Sequence, residues 1–228
     1  IGYASLHNQN SDSNNEVTNN VGVGVSTGFY NVTGKGNTYI GNQSGQGADG
    51  NSNQENTAVG YYSLFAITTG KNNAVVGLAA GGAVTTASGS AFLGNNAGRG
   101  ITTGNQNIAI GNDAMYGSTV TGDRNIAIGA HAGDALTGGN ENIFIGTDAG
   151  GTTTAGTNIV AIGRNAAAAN ITTDGSYSVF IGGLAGNQIT SGQANVAIGY
   201  AALDAEDDGD YNTAIGYEAL TNQTGVSG

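Results

Sequence analysis

Aliphatic residues alternate with small or polar ones over short stretches, and the same five-residue stretch returns at a nearly constant interval. The clearest copies are Asn107-Ile108-Ala109-Ile110-Gly111, Asn125-Ile126-Ala127-Ile128-Gly129, Asn195-Val196-Ala197-Ile198-Gly199 and Asn212-Thr213-Ala214-Ile215-Gly216. With looser copies there are thirteen, anchored at Gly2, Gly24, Gly41, Gly60, Gly77, Gly94, Gly111, Gly129, Gly146, Gly163, Gly182, Gly199 and Gly216. After the first interval the spacing is 17 residues, with occasional 18 or 19. A fixed period of this kind predicts a repeat architecture with an extended body.

Aligned on the anchor glycine, the columns assign a role to each position. The residue before the glycine is aliphatic throughout and mostly β-branched (Ile110, Ile128, Ile145), as a strand prefers. The third residue after it is small (Ser44, Ser63, Ala80, Ala114, Ala132), and the fourth is usually Gly or Leu. A turn rich in Thr and Gly follows, such as Thr102-Thr103-Gly104, and then the next Asn. The expected unit is one coil: a strand over Asn-x-Ala-Ile-Gly, a tight bend, a second short strand through the Ala column, and a glycine-containing turn. Stacked as parallel strands about 4.8 Å apart, such coils form a rod on the order of 60 Å long. Glycine every few residues excludes helices, at about 1 kcal/mol each. The expected fold is therefore all-β: a parallel β-solenoid of about 13 coils with a ~17-residue period, one domain over residues 1–228.

Period-2 alternation puts Ile108 and Ile110 on one face and Asn107 and Ala109 on the other. Both faces carry apolar groups, because Phe92, Phe144 and Phe180 fall in the Ala109 column. One face is expected to line the coil and the other to meet a neighbouring chain. Ile110 and Ala114 are expected to fill the coil, Ala109 and Ala127 to pack, and the Asn107 column to form an amide ladder. One buried aliphatic per coil is small against the backbone entropy of 17 residues, so neighbouring coils and chains must supply stability.

Three stretches break the pattern. Residues 3–19 and 46–55 read as polar, solvated loops, and Asp204 to Asp210 as an acidic turn. The chain opens at Ile1-Gly2-Tyr3, in mid-repeat, and Gly225-Val226-Ser227-Gly228 stops where the next copy would begin. The expectation is a domain cut in mid-repeat at both ends, with either more chain on each side or head-to-tail addition of copies, a heterologous contact that does not close. Ile1, Gly2, Tyr3, Tyr200, Tyr217 and Leu220 are the candidate assembly residues.

Composition narrows the partners. With 16 acidic and 5 basic residues the net charge is −11, which argues against nucleic acid and anionic membranes. Glycine numbers 42 without a three-residue period, which excludes collagen. Cysteine and proline are absent, and no apolar run reaches the roughly 18 residues of a membrane-spanning helix. No signal peptide is evident, and the chain begins with Ile1 rather than Met.

The repeated Asn-x-Ala-Ile-Gly followed by a small residue resembles the head repeats of trimeric autotransporter adhesins. The fuller Asn212-Thr213-Ala214-Ile215-Gly216-Tyr217-Glu218-Ala219-Leu220 resembles repeats that precede endosialidase-type chaperone domains in phage tail fibre and bacterial surface proteins. The resemblance covers nearly the whole chain. It implies a left-handed β-roll, trimeric, on an exposed fibre at a cell or virion surface. The period here is longer than that of the adhesin heads.

Candidate chemistry is sparse. Gly24-Val25-Ser26-Thr27-Gly28 matches a nucleophile-elbow pattern, but that chemistry needs a following helix and a histidine partner, and only His7 and His131 exist. Asp204, Glu206, Asp207, Asp208 and Asp210 are oxygen ligands of the type calcium takes, without EF-hand spacing; the plainer reading is a solvated turn. Tyr61, Tyr62, Tyr200 and Tyr217 are outward aromatics, with Tyr200 and Tyr217 expected to stack and Tyr3 to continue their column across a subunit junction. The expected role is structural: a shaft segment of an extracellular fibre, built by trimerisation, head-to-tail stacking or both, with no catalytic activity and no cofactor. The alternative is an adhesin or receptor-binding fibre that contacts a surface glycan or protein.

Overall fold

In the computed structural model, which describes residues 1–9, 18–172, 176–205 and 208–222, the chain winds into a parallel β-solenoid. Twelve three-residue strands form one sheet in strict chain order: β1 (Val21–Val23), β2 (Thr38–Ile40), β3 (Thr57–Val59), β4 (Ala74–Val76), β5 (Ala91–Leu93), β6 (Ile108–Ile110), β7 (Ile126–Ile128), β8 (Ile143–Ile145), β9 (Val160–Ile162), β10 (Val179–Ile181), β11 (Val196–Ile198) and β12 (Thr213–Ile215). Register is in step throughout: Ile108, Ala109 and Ile110 of β6 lie beside Ile126, Ala127 and Ile128 of β7. The solenoid makes about eleven turns with a period near 17. Twelve rungs at about 4.8 Å give a body roughly 50 Å long. The thirteenth copy, Ile1-Gly2, is stacked without being a strand: Gly24 N–H donates to Ile1 C=O at 2.8 Å.

The anchor glycine sets this spacing. At Gly111, φ is +133°, and a Cβ would lie 2.5 Å from the carbonyl oxygen of Gly129 in the next rung. Neither the dihedral nor the gap admits another residue.

Among the described residues, the expected second strand through the Ala column does not form. After each anchor glycine the chain runs through overlapping turns in which every second residue is left-handed: Gln43 (φ 56°) and Gly45 (φ 57°), or Asp113 (φ 55°) and Met115 (φ 49°). Turn hydrogen bonds hold them, for example Ser44 N–H to Gly41 C=O at 3.3 Å and Gln46 N–H to Gln43 C=O at 3.3 Å. Each turn also bonds to its neighbouring coils, as Gly45 N–H does to Ser63 C=O at 2.8 Å. Most side chains pay a penalty in this region of φ/ψ space; the inter-coil bonds, which only this geometry makes, offset it.

The sheet faces are also resolved, with one reversal. Ala109, expected on a contact face, is fully buried in the coil, and Ile110, expected to fill the coil with Ala114, points outward and is half-buried. Ala114 is interior as expected. The Asn column faces the same interior, and Asn107, Asn125, Asn142 and Asn195 are fully buried. Each amide works in two directions. Asn107 Nδ2 donates to Gly122 C=O at 2.8 Å, which closes its own coil, while its Oδ1 accepts from the backbone N–H of Asn125 at 2.8 Å in the next. Asn125 repeats both bonds with Gly139 C=O (2.8 Å) and Asn142 N–H (3.0 Å). A buried amide is costly unless satisfied, and here it is satisfied by the backbone of two coils. Ser90 and Ser178 take over the acceptor role, toward Asn107 N–H and Asn195 N–H, and Ser178 Oγ also donates to Ser176 C=O at 3.5 Å.

Packing is balanced within each coil by paired columns. Where the middle strand residue is large, the fourth residue after the anchor is glycine: Phe92 with Gly98, Phe144 with Gly150, Phe180 with Gly186, Tyr39 with Gly45. Where it is alanine, that position is often large: Ala58 with Leu64, Ala109 with Met115, Ala197 with Leu203. A Cβ on Gly98 would sit 2.6 Å from the Phe92 ring. Ile67, Val84, Ile101, Val120 and Leu136 fill the far corner. The 46–55 segment departs from the expected solvated loop, since Asn53 is fully buried and its Oδ1 accepts a hydrogen bond from Tyr39 Oη. Of the 3–19 loop, residues 10–17 lie outside the described residues.

Phe92→Ala should cost about 3–5 kcal/mol, and Gly98→Met alone about 1–3 kcal/mol from overpacking. The double variant reproduces the Ala109–Met115 pairing and should recover most of the loss in a denaturation cycle. Simple additivity of the two losses would refute size compensation.

Candidate functional site

The outward face of the sheet is a surface that the interior does not use. Two aliphatic columns run along it, one through Ile108, Ile126, Ile143, Val160, Val179 and Val196, the other through Ile110, Ile128, Ile145, Ile162, Ile181 and Ile198. Alternation forces them outward once Ala109 and its column turn inward. Ile40, Val76, Leu93 and Ile181 are exposed, and Ile215 is 67% exposed on β12. The strands β6 to β9 carry no charged residue, so the middle of this face is apolar over several rungs. That is larger than the scattered apolar residues normal on a protein surface, and contiguous patches of this kind mark contact sites.

The candidate assembly residues fall near the two ends of the stack. Ile1 and Tyr3 are 92% and 82% exposed, yet their carbonyls accept from Gly24 N–H and Ser26 N–H. Gly2 lies against the carbonyl of Gly24 more closely than a Cβ would allow. Tyr200 and Tyr217 stack as expected, with ring centroids 5.5 Å apart and planes 18° from parallel. A hydrogen bond and the charge of Glu218 push the Tyr217 phenol pKa up. Leu220 is exposed in the column that holds fully buried Leu203.

The acidic corner is only partly described, because Glu206 and Asp207 lie outside the described residues. Asp210 Oδ1 accepts from Gln193 N–H at 2.8 Å. Asp204 Oδ1 is buried with no hydrogen-bond partner, and desolvation raises its pKa, against a side-chain hydrogen bond with Asn187. No group of three His, Asp or Glu side chains converges among the described residues.

Ser26 lies in a left-handed turn (φ 52°) with no helix after it. His7 stacks on Phe29 at 4.9 Å, with its Nδ1 2.7 Å from Asn8 Oδ1. His131, six rungs along from Ser26, pairs with Asp134 at 3.5 Å. The coil thus gives Ser26, His7 and His131 separate neighbours. Among the described residues no helix is long and apolar enough to cross a membrane.

Tyr61 and Tyr62 pack together, centroids 4.3 Å apart, and Tyr62 continues to Phe65 at 4.7 Å. Three neighbours that sequence reading did not single out belong with them: Phe65, Arg99 and Tyr116. Each is the fifth residue after its anchor glycine, a column that the alignment already contained.

For Asp204 the folded pKa lies above the unfolded one, so the associated stability is present at low pH and is lost as pH rises through the folded value. Asp204→Asn should therefore raise Tm at about pH 7 and converge with the parent chain in acid. An equal Tm at both pH values would show that the buried oxygen carries no penalty. Comparisons with protein-family models, with curated proteins and with solved structures give no match to this chain.

Proposed function

We propose that the chain is a non-catalytic structural subunit, a shaft segment of an extracellular fibre that assembles with further copies of itself. The observation that supports it most is the outward aliphatic face of β6 to β9, uncharged across consecutive rungs. A coil that spends Ala109, Asn107 and Met115 on its interior has no internal use for Ile108 and Ile110. A second copy brings the same apolar columns at the same rung spacing, so an in-register contact between copies covers them. A trimer is the smallest symmetric ring in which each copy meets two neighbours. Because all strands run parallel and in one order, end-on addition of copies would, in addition, extend the same ladder. Repeats that contact only their neighbours build length rather than a pocket for chemistry.

Ile110→Lys with Ile145→Lys tests the lateral contact. Both positions point outward, so the coil should keep its fold and circular dichroism spectrum. The two lysines lower the net negative charge, so a loss of association would arise at the contact itself and not from whole-chain self-repulsion. Sedimentation should show the parent chain as an oligomer and the variant as a monomer. A parent chain that sediments as a monomer at micromolar concentration, or a variant that associates equally well, would overturn the proposal.

A further inference from the structure

One corner of the solenoid carries a cleft of ≈ 730 Å³ that the proposed shaft role does not use. Its walls come from four successive coils, and Tyr61, Tyr62, Phe65, Arg99 and Tyr116 supply its large side chains. Its cause is a single coil in which the corner is small. At the second, fifth and sixth positions after the anchor, that coil has Ala79, Gly82 and Ala83, where the coil before it has Tyr62, Phe65 and Ala66. One layer of side chains is missing between Phe65 and Arg99.

Backbone need does not explain Gly82. Its φ lies outside the left-handed region, and the same column position carries Gln46, Phe65, Arg99 and Tyr116. A Cβ there would meet Ala79 C=O at 3.1 Å and Arg99 Cγ at 3.7 Å, so a side chain would project into the cleft. The space is one that the fold readily fills elsewhere.

The missing layer has a definite thickness. Phe65 and Arg99 are two rungs apart, about 9.6 Å. A flat ring between two faces in van der Waals contact needs only about 7 Å. A puckered saturated ring, with hydrogens on both faces, needs roughly 1 Å more on each side. The chemistry of the walls agrees: aromatic faces to receive C–H groups, and phenol hydroxyls to meet polar substituents. The charge is also specific. Arg99 lies over the Tyr116 ring, 5.4 Å from its centroid, and Nη1 donates to Tyr116 Oη at 2.8 Å. It makes no ion pair among the described residues, and no carboxylate lines the cleft. The stacked, tethered guanidinium retains further N–H donors in a planar fork that suits a carboxylate. A cationic ligand would be repelled.

We propose that this cleft binds a saccharide ring bearing a carboxylate, of the uronic acid type. The ring lies between the Tyr62–Phe65 side and Arg99, in the layer left open at Gly82, with its carboxylate on the guanidinium that Tyr116 backs.

The probes are methyl β-glucuronide and methyl β-glucoside, which differ only in the carboxylate, titrated into the full assembled chain and followed by amide chemical shifts. The expected result is saturable shifts centred on Tyr62, Gly82, Arg99 and Tyr116, with the glucuronide at least about tenfold tighter. Arg99→Gln should bring the two sugars to equal affinity. Gly82→Gln, which places in the cleft the side chain that Gln46 carries in the same column, should abolish both; Gly82→Phe, on the precedent of Phe65, serves if the first variant does not fold. No saturable shift, equal affinity of the two sugars for the parent chain, or unchanged binding by the filled variant would each overturn the proposal. These outcomes are independent of whether the Ile110→Lys, Ile145→Lys chain loses its lateral contact.

Discussion

The closeness of one rung to the next governs this molecule. At the anchor glycines a carbonyl oxygen lies where a Cβ would have to be, 2.5 Å away at Gly111 and 2.2 Å at Gly60. That approach brings each strand within hydrogen-bonding distance of the next and lets identical backbones stack in step. It also explains the turns. A chain that must reverse within a 17-residue coil while every rung lies directly on the last alternates right- and left-handed residues, and it does so even with Tyr62, His131 or Leu184 in the left-handed place. The buried Asn column follows from the same spacing, because one amide reaches both the end of its own coil and the start of the next only when coils are one hydrogen bond apart.

Stacking divides the labour among positions. The interior is narrow and holds few large groups, so size is traded between two columns, Phe92 against Gly98 and Ala109 against Met115. The aliphatic residues that this leaves over are the outward ones. In a globular domain a second layer would cover such a face; here the described residues form none over it. In the proposed shaft role, further copies of the chain supply that cover. The aromatic corner at Gly82 depends on the same regularity: omission of one layer from a regular stack leaves a slot whose thickness the rung spacing sets.

Much of this was legible in the residues. The period, the parallel stacking, the Asn column and the Tyr200–Tyr217 stack all follow from columns of like residues. Which side was inside did not. Ile110 is the more hydrophobic residue and Ala109 the less, so bulk suggested Ile110 for the interior; Asn107, whose side chain must close the turn, fixes the inward face, Ala109 shares it, and alternation sends Ile110 outward. The Ala column resembled a strand because it is regular, yet small residues at fixed intervals serve stacked turns equally well. Phe65, Arg99 and Tyr116 escaped notice because each looks like an isolated surface residue until its coil position is compared with that of Gly82.

The central claim, that the outward aliphatic face is covered by another copy, can be read directly because the chain has no cysteine of its own. A single thiol from Ile128→Cys, on the outward face, is compared with one from Tyr177→Cys, a position that is 66% exposed. The rate of labelling by a water-soluble maleimide is then measured in the assembled state and after dissociation. The account predicts that the thiol at position 128 is protected in the assembly and reactive in the separated chain, while that at position 177 reacts in both. Equal and rapid labelling of both positions in the assembled protein would contradict it.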